Sequence, residues 1–379
     1  MEERQPAEEG SQSIAPGPGR IASVDALRGF DMFWIAGGAG FITALAKLCG
    51  GKIEQWLVPQ LEHAEWVGFH FYDLIFPLFA FIVGMSAVFS LEKLIATKGK
   101  KAAYRRLIRR TIILYLLGII YYGGMSQGFH HIRLLGVLQR LALVYFFTGA
   151  LFIHLRLRGL ILACAALLLG YWLWLSFVPV PGLGKPSFAM GQNWPNWVDK
   201  HFLPLRKWNG DWDPEGILST LPAIATGLLG VFACLLIKNK SLSDMKKVRC
   251  LLLGGLVATA LGYLWGLQFP VIKKIWTSSY VLVAGGYSFL LLGVFYLVLD
   301  VWKVRKWALP FVWIGMNPIT IYMVRNLVDF NGLAQRLVGG EFQTMFGEKV
   351  GFLLLTAASL ALTLVLARFL FKKNVFLRV

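Results

Sequence analysis

The chain has 379 residues, of which 57% are hydrophobic and only 15% charged, with a mean hydropathy of +0.61. That balance excludes an ordinary soluble domain and points to a polytopic membrane protein. The net charge of +18 is, in such a chain, the excess of Lys and Arg that membrane proteins keep on their cytoplasmic side, and nucleic acid is excluded as a partner on that ground.

Residues 1–22 open the chain as a cytoplasmic tail. MEERQPAEEGSQSIAPGPGR (1–20) is polar and rich in Pro, Gly and Glu, the composition of a disordered segment. Residues 23–379 then read as one transmembrane domain. A helix needs about 20 mostly apolar residues to cross a bilayer. Ten segments qualify: 24–46, 68–91, 107–123, 132–154, 159–178, 216–237, 250–268, 279–300, 307–325 and 350–371. The fold expected is therefore all-α, a bundle of about ten transmembrane helices. The first segment holds Asp25, Arg28 and Asp31, is no signal-peptide core, and is expected to be retained. Residues 326–346 read as a surface segment with a short amphipathic helix, and no internal repeat of the transporter kind is visible. With the N-terminus inside, the inside connections carry about twice the Lys and Arg of the outside ones, which puts both termini in the cytoplasm. The basic stretch KGKKAAYRRLIRR (98–110) is then cytoplasmic. It suits lipid headgroups and topology, or the docking of a phosphorylated cytosolic ligand. The loop 179–215 and the His63 stretch face outward.

Ionisable residues inside a membrane are functional candidates by default. Here they are Asp25, Arg28, Asp31, Asp73, Arg140 and Glu215. Arg28 is three residues from each of Asp25 and Asp31, which makes a local ion pair available. Arg140 needs a partner at its depth: Asp73, or a phosphate or the amides of a cofactor arm. His63 precedes the helix that Asp73 enters, in LEHAEWVGFHFYDLIFPLFAFIVG (61–84). A neutral imidazole beside carboxylates suits general-base work, and His63 with Asp73 is the candidate catalytic pair. No HxxxH or HxxEH set occurs, so no metal site is expected. The four cysteines, Cys49, Cys164, Cys234 and Cys250, form neither a CxxC nor a disulfide framework. In the 179–215 loop Trp194, Trp197, Trp208 and Trp212 alternate with Asn and Asp. Interfacial anchoring accounts for such tryptophans; stacking and hydrogen bonding of a sugar is the alternative. Asp213 and Glu215 follow in DPEG, and PVIKKIWTSS (270–279) adds a further polar mouth.

Six stretches together resemble the heparan-alpha-glucosaminide N-acetyltransferase family, in its compact bacterial form within the transmembrane acyltransferases. They are SVDALRGFDMF (23–33), HAEWVGFHFYDLIFPLFAFIVG (63–84), GVLQRLAL (136–143), DPEGILSTLPAIATGLLG (213–230), KKIWTSSYVL (273–282) and GMNPITIY (315–322), in family order from the first helix to the ninth. The resemblance implies an acetyltransferase working across a membrane. Cytosolic acetyl-CoA would be the donor and the amine of a glucosamine-type sugar on the opposite face the acceptor. It places the family's active histidine on His63, as general base or as acetyl carrier. Arg28 and Arg140 then become candidate binders of the donor, with Gln139 and Asn317 for its amides. Trp276, Ser278 and Ser279 become candidates to polarise its carbonyl, and Trp66, Trp212, Asp213 and Glu215 candidates for the sugar. The family's Asn upstream of the histidine has no counterpart in 41–62, so either it is dispensable or Gln55 or Gln60 serves instead. The human lysosomal member has an extra lumenal region and helix before this core, and this chain has only the tail there. The expectation is thus a multi-pass protein of the bacterial inner membrane. A homodimer is implied by the family alone. A transporter of an amino sugar or sugar fragment is the alternative function.

Overall fold

The computed structural model describes residues 21–126 and 128–375, so the tail expected over 1–20 lies outside the described residues. Among the described residues there is no strand. In hydrocarbon every backbone N–H and C=O must find a partner inside the protein, and a helix provides these partners within its own segment.

Among the described residues eight helices are long and apolar enough to cross a membrane. In chain order the elements are α1 (Ala22–Cys49), a short α2 (Gly51–Gln60), α3 (Phe71–Tyr121), α4 (Val137–His154), α5 (Leu157–Phe177) and a second short helix, α6 (Trp194–Phe202). Then come α7 (Thr220–Lys238), α8 (Asp244–Gly266) and α9 (Ser278–Val301). Next, α10 (Lys306–Met316) and α11 (Pro318–Leu327) meet at a 69° bend, and they make a ninth crossing if taken as one span. The short α12 (Phe330–Val338) and α13 (Glu341–Met345) lead into α14 (Glu348–Lys372). The amphipathic helix expected within 326–346 is α12, which buries Phe330 and Ala334, one turn apart.

The count differs from the ten expected because 68–91 and 107–123 belong to one helical stretch, α3, of 51 residues. A straight helix of that length would be about 76 Å long, over twice a core of about 30 Å. Instead the backbone turns at Gly99, with φ 79° and ψ 175°, a conformation that a side chain would strain. Leu91 and Leu107, on either side of Gly99, would both meet a side chain placed at Gly149 of α4. The two arms of α3 therefore lie side by side, and the chain reverses within the basic 98–110 stretch.

The first arm of α3 crosses α7 at van der Waals contact. A Cβ at Gly84 would fall 1.9 Å from the Gly227 carbonyl, and one at Gly230 would fall 1.9 Å from that of Phe81. Small residues are what permit such contact where no hydrophobic force drives helices together. Between α3, α1, α4 and α11 two cavities remain.

Candidate active site

The larger cavity, about 510 Å³, opens at the end of the bundle where α3 begins. Its mouth is built by clasping two irregular segments, 61–70 and 267–277. The Gly68 N–H donates to the Val271 carbonyl at 2.9 Å, and Lys274 Nζ donates to the Glu65 carbonyl at 2.6 Å. Trp66 Nε1 donates to the Phe188 carbonyl at 2.8 Å, which ties in the 179–193 loop. Tyr280 hydroxyl donates to the Asp73 carbonyl at 2.8 Å. These bonds fix the backbone on both sides of His63 and Asp73.

Asp73 is fully buried. Its Oδ2 accepts from the Ala64 and His70 N–H groups, at 3.1 and 3.0 Å. Its Oδ1 lies 2.9 Å from His63 Nδ1 and 3.2 Å from Lys273 Nζ. A carboxylate only accepts, so the His63 hydrogen sits on Nδ1 and the lone pair on Nε2. The ring is half exposed, lines the cavity and leans on Tyr72, with centroids 4.9 Å apart. This is an oriented base: a carboxylate that fixes the tautomer and an imidazole nitrogen presented to a cavity. Burial pulls the Lys273 ammonium below the usual lysine range, and Asp73 opposes that pull.

The same cavity carries a second charged cluster. Arg133 donates from Nε and Nη2 to both Asp213 oxygens, at 2.8 and 2.6 Å, and from Nη2 to Glu215 at 2.5 Å. Its guanidinium stacks over the Tyr122 and Trp208 rings, at 4.4 and 4.9 Å. Burial lowers the Arg133 pKa, but the Asp213 and Glu215 carboxylates outweigh it and hold the side chain above its ordinary value. Burial also raises Glu215, against the pull of Arg133 and Arg140. Arg133, Glu215, Trp208 and Asn209 line the cavity. Behind them Asp199 accepts from the Ile217 and Asp213 N–H groups, at 2.9 and 3.2 Å, and shapes the 213–217 turn. Burial pushes its carboxyl up to about 6.

The remaining candidates are placed as follows. Trp276 is buried, lines the cavity and carries φ 53°, a left-handed backbone unusual for so large a residue. Its Nε1 donates to Thr226 Oγ1 at 3.2 Å. Ser278 donates to the Leu168 carbonyl at 2.7 Å, and Ser279 to that of Pro270 at 3.2 Å. Both hydroxyls thus serve the backbone near the start of α9. Arg140 does not meet Asp73. It donates from Nη2 to Ser219 Oγ and, at 3.1 Å, to the Gly216 carbonyl, and lies 5.0 Å above the Trp276 ring. Gln139 donates to the Arg133 carbonyl at 3.1 Å, and Asn317 sits at the α10–α11 bend. Trp212 is buried edge-on against Trp66, at 5.7 Å, so Trp208 rather than this pair faces the cavity. Gln60 accepts from the Phe71 N–H at 3.1 Å, and Gln55 is exposed on α2. Arg28 pairs with Asp25 at 3.3 Å and donates to Ser86 at 3.1 Å; Asp31 has no such contact and is fully buried.

A second cavity, about 440 Å³, opens toward the other end, between α1, both arms of α3, α4 and α11. Arg28, Arg106 and Arg110 line it with Ser86, Ser90 and Asp25. Two arginines of the basic 98–110 stretch thus join the intramembrane Arg28 around one hollow. Phe79, Leu138, Leu141 and Ile319 belong to the walls of both cavities. These shared apolar side chains form a collar between the two hollows. Among the described residues no group of His, Cys, Asp and Glu is arranged to hold a metal ion.

Sequence reasoning did not single out Arg133, Lys273 or the cavity-lining Tyr72, Tyr121, Tyr122 and Tyr322. Arg133 and Lys273 lie in connecting segments, where a cation counts only toward topology; the polar run PVIKKIWTSS was the one visible signal for Lys273.

No family model matches the chain. Over 363 residues, covering 81% of this chain and 52% of the relative, it is 29% identical to a heparan-alpha-glucosaminide N-acetyltransferase of Homo sapiens. Over 368 residues, covering 82% of this chain and 55% of the relative, it is 26% identical to the protein of the same name from Mus musculus. The chain spans about half the length of these curated relatives.

Proposed function

We propose that this chain, a homologue of the heparan-alpha-glucosaminide N-acetyltransferases, is a transmembrane acetyltransferase of residues 23–379 that passes the acetyl group of cytosolic acetyl-CoA to the amine of a glucosamine-type sugar on the other face. The observation that carries the reading is the pair of cavities sharing one collar, with an oriented base in one and three arginines around the other. An arm of CoA length is roughly half a bilayer core. It brings a thioester to the base only if its nucleotide end enters the bundle. The arginine-lined cavity has the chemistry for that end: guanidinium groups for phosphates and serine hydroxyls beside them. The apolar collar suits an uncharged arm. In the bacterial inner membrane the arginine cavity faces the cytoplasm, in line with the charge bias, and the His63 cavity faces the periplasm.

The acceptor enters at His63. The amine arrives in its neutral form, Glu215 accepts from a sugar hydroxyl, and Trp208 and Tyr122 offer faces to a sugar ring. His63 Nε2 removes a proton as the amine attacks the acetyl carbon. Asp73 stabilises the imidazolium through Nδ1, and the C–S bond breaks as His63 returns the proton to the departing sulfur. No acetyl-enzyme is required, since donor and acceptor meet at one base. A transporter reading draws on the same two cavities, with His63–Asp73 as a proton relay, and forms no acetylated product. Purified protein is given acetyl-CoA and glucosamine, with CoA and N-acetylglucosamine read by mass spectrometry. Glucosamine-dependent CoA release, absent in His63→Ala, is the expected result. Glucosamine uptake into vesicles with no product formed would replace the reading with transport.

A further inference from the structure

Resting on that reading, we infer that Lys273 is a catalytic residue: its ammonium stabilises the oxyanion that forms when the amine adds to the acetyl carbonyl. Lys273 Nζ is 2.9 Å from His63 Nδ1 and 3.5 Å from Nε2. A partner in line with the Nδ1 lone pair would stand roughly 5 Å from Nε2 in ordinary hydrogen-bond geometry. Nζ therefore lies beside the ring rather than at the end of Nδ1, and Asp73 keeps the Nδ1 position. The ammonium is consequently close to whatever Nε2 is deprotonating.

Three cations line the cavity: Arg133, Lys273 and Lys274. Arg133 is committed to Asp213 and Glu215, and Lys274 to the Glu65 carbonyl. The neutral donors that the sequence suggested for this role are committed as well, Trp276 to Thr226, Ser278 to Leu168 and Ser279 to Pro270. Lys273 is the cation beside Nε2.

The Asp73 carboxylate that orients His63 also repels an oxyanion forming nearby. At rest Asp73 and Lys273 cancel. During transfer the C–N bond forms, the carbonyl oxygen becomes negative and the amine proton moves to His63. The set is then two anions, Asp73 and the oxyanion, against two cations, Lys273 and the imidazolium. Without Lys273 the same step runs with one uncompensated negative charge in a cavity walled by apolar side chains, where charges are weakly screened.

The test uses the whole chain in detergent or vesicles, with wild type and His63→Ala alongside. Lys273→Met keeps the aliphatic stem and removes the charge. The expected result is a fall in kcat of about 100-fold or more, with KM for acetyl-CoA changed by less than about threefold. A second variant separates charge from folding. Lys273→Cys is made in a chain carrying Cys49→Ser and Cys250→Ser, which removes the exposed thiols. Treatment with 2-bromoethylamine then rebuilds an ammonium on the cysteine. Turnover of the same preparation should rise at least about tenfold on treatment. Lys273→Met turning over within about threefold of wild type overturns the inference while leaving the acetyltransferase reading in place. So does complete alkylation of Lys273→Cys, confirmed by mass, without any gain in rate. Absence of turnover in the wild-type protein overturns both.

Discussion

Asp73→Asn isolates the orientation of His63 from everything else in the cavity. The amide oxygen takes over the N–H groups of Ala64 and His70, which Oδ2 now accepts at 3.1 and 3.0 Å. The amide nitrogen then faces His63 Nδ1, where Oδ1 stands at 2.9 Å. A donor there turns Nδ1 into an acceptor and moves the ring hydrogen to Nε2, which presents a donor to the cavity where a base is needed. General-base assistance is worth about 10²–10⁴ in rate, so a loss near 10³, or about 4 kcal/mol of barrier, is expected. Lys273 also loses its counter-charge at 3.2 Å. Breaking a fully buried pair costs about 3–5 kcal/mol, but Lys273 keeps 18% of its surface exposed, so a stability loss of about 2 kcal/mol is expected. The assay is acetyl-CoA-dependent formation of N-acetylglucosamine under saturation, with a thermal melt of the same samples. KM for acetyl-CoA should hold, because the arginine-lined cavity does not include Asp73. Turnover within about tenfold of wild type would refute the argument that Asp73 sets the tautomer.

Three other outcomes follow from the geometry. Arg133→Lys loses the two-pronged grip on Asp213 and leaves carboxylates poorly paired; a loss of about 2–4 kcal/mol in thermal or denaturant unfolding is expected, and an unchanged melt would contradict it. Asp199, held up to about 6 by burial against an ordinary 3.8, binds its proton more tightly folded than unfolded. Stability is therefore greatest below about pH 4 and falls as pH rises toward 6, by about 3 kcal/mol from this group. Asp199→Asn should flatten that slope, and an identical pH–melting profile in the two chains would refute it. Leu141→Ala with Ile319→Ala thins the collar shared by the two cavities. Vesicles holding that variant should leak protons several-fold faster by an internal pH dye, since a dry constriction is what seals such a path, and tightness equal to wild type would show that the hollows do not communicate there.

Much of this was legible because membrane solvent leaves so few choices. Length and apolarity locate α1, α4, α5, α7, α8, α9 and α14 directly. Hydropathy also separates 68–91 from 107–123 across the polar run, and both segments stand as the two arms of α3; what it does not show is that the reversal is one backbone angle, at Gly99, inside one helical stretch. His63 and Asp73 stood out as ionisable groups at the edge of an oily segment, and the structure joins them at 2.9 Å. Arg140 stood out equally, yet its partners are Ser219 and the Gly216 carbonyl. Depth along a helix does not say which neighbour a long side chain reaches. Trp208 was not separable from Trp212 four residues on, because which tryptophan faces a hollow is decided by the loop fold. Lys273 was invisible as a site residue for the same reason: its meaning comes from 61–70 packing against 267–277, a contact between segments some 200 residues apart.

The central claim is transfer across the membrane through two cavities that meet. Sealed vesicles of known orientation, loaded inside with glucosamine and given acetyl-CoA only outside, test it most directly. Vesicles with the arginine cavity outward should accumulate N-acetylglucosamine inside and release CoA outside, with neither seen in His63→Ala. Product formed only when donor and acceptor share one side, in vesicles proven tight, would contradict the account.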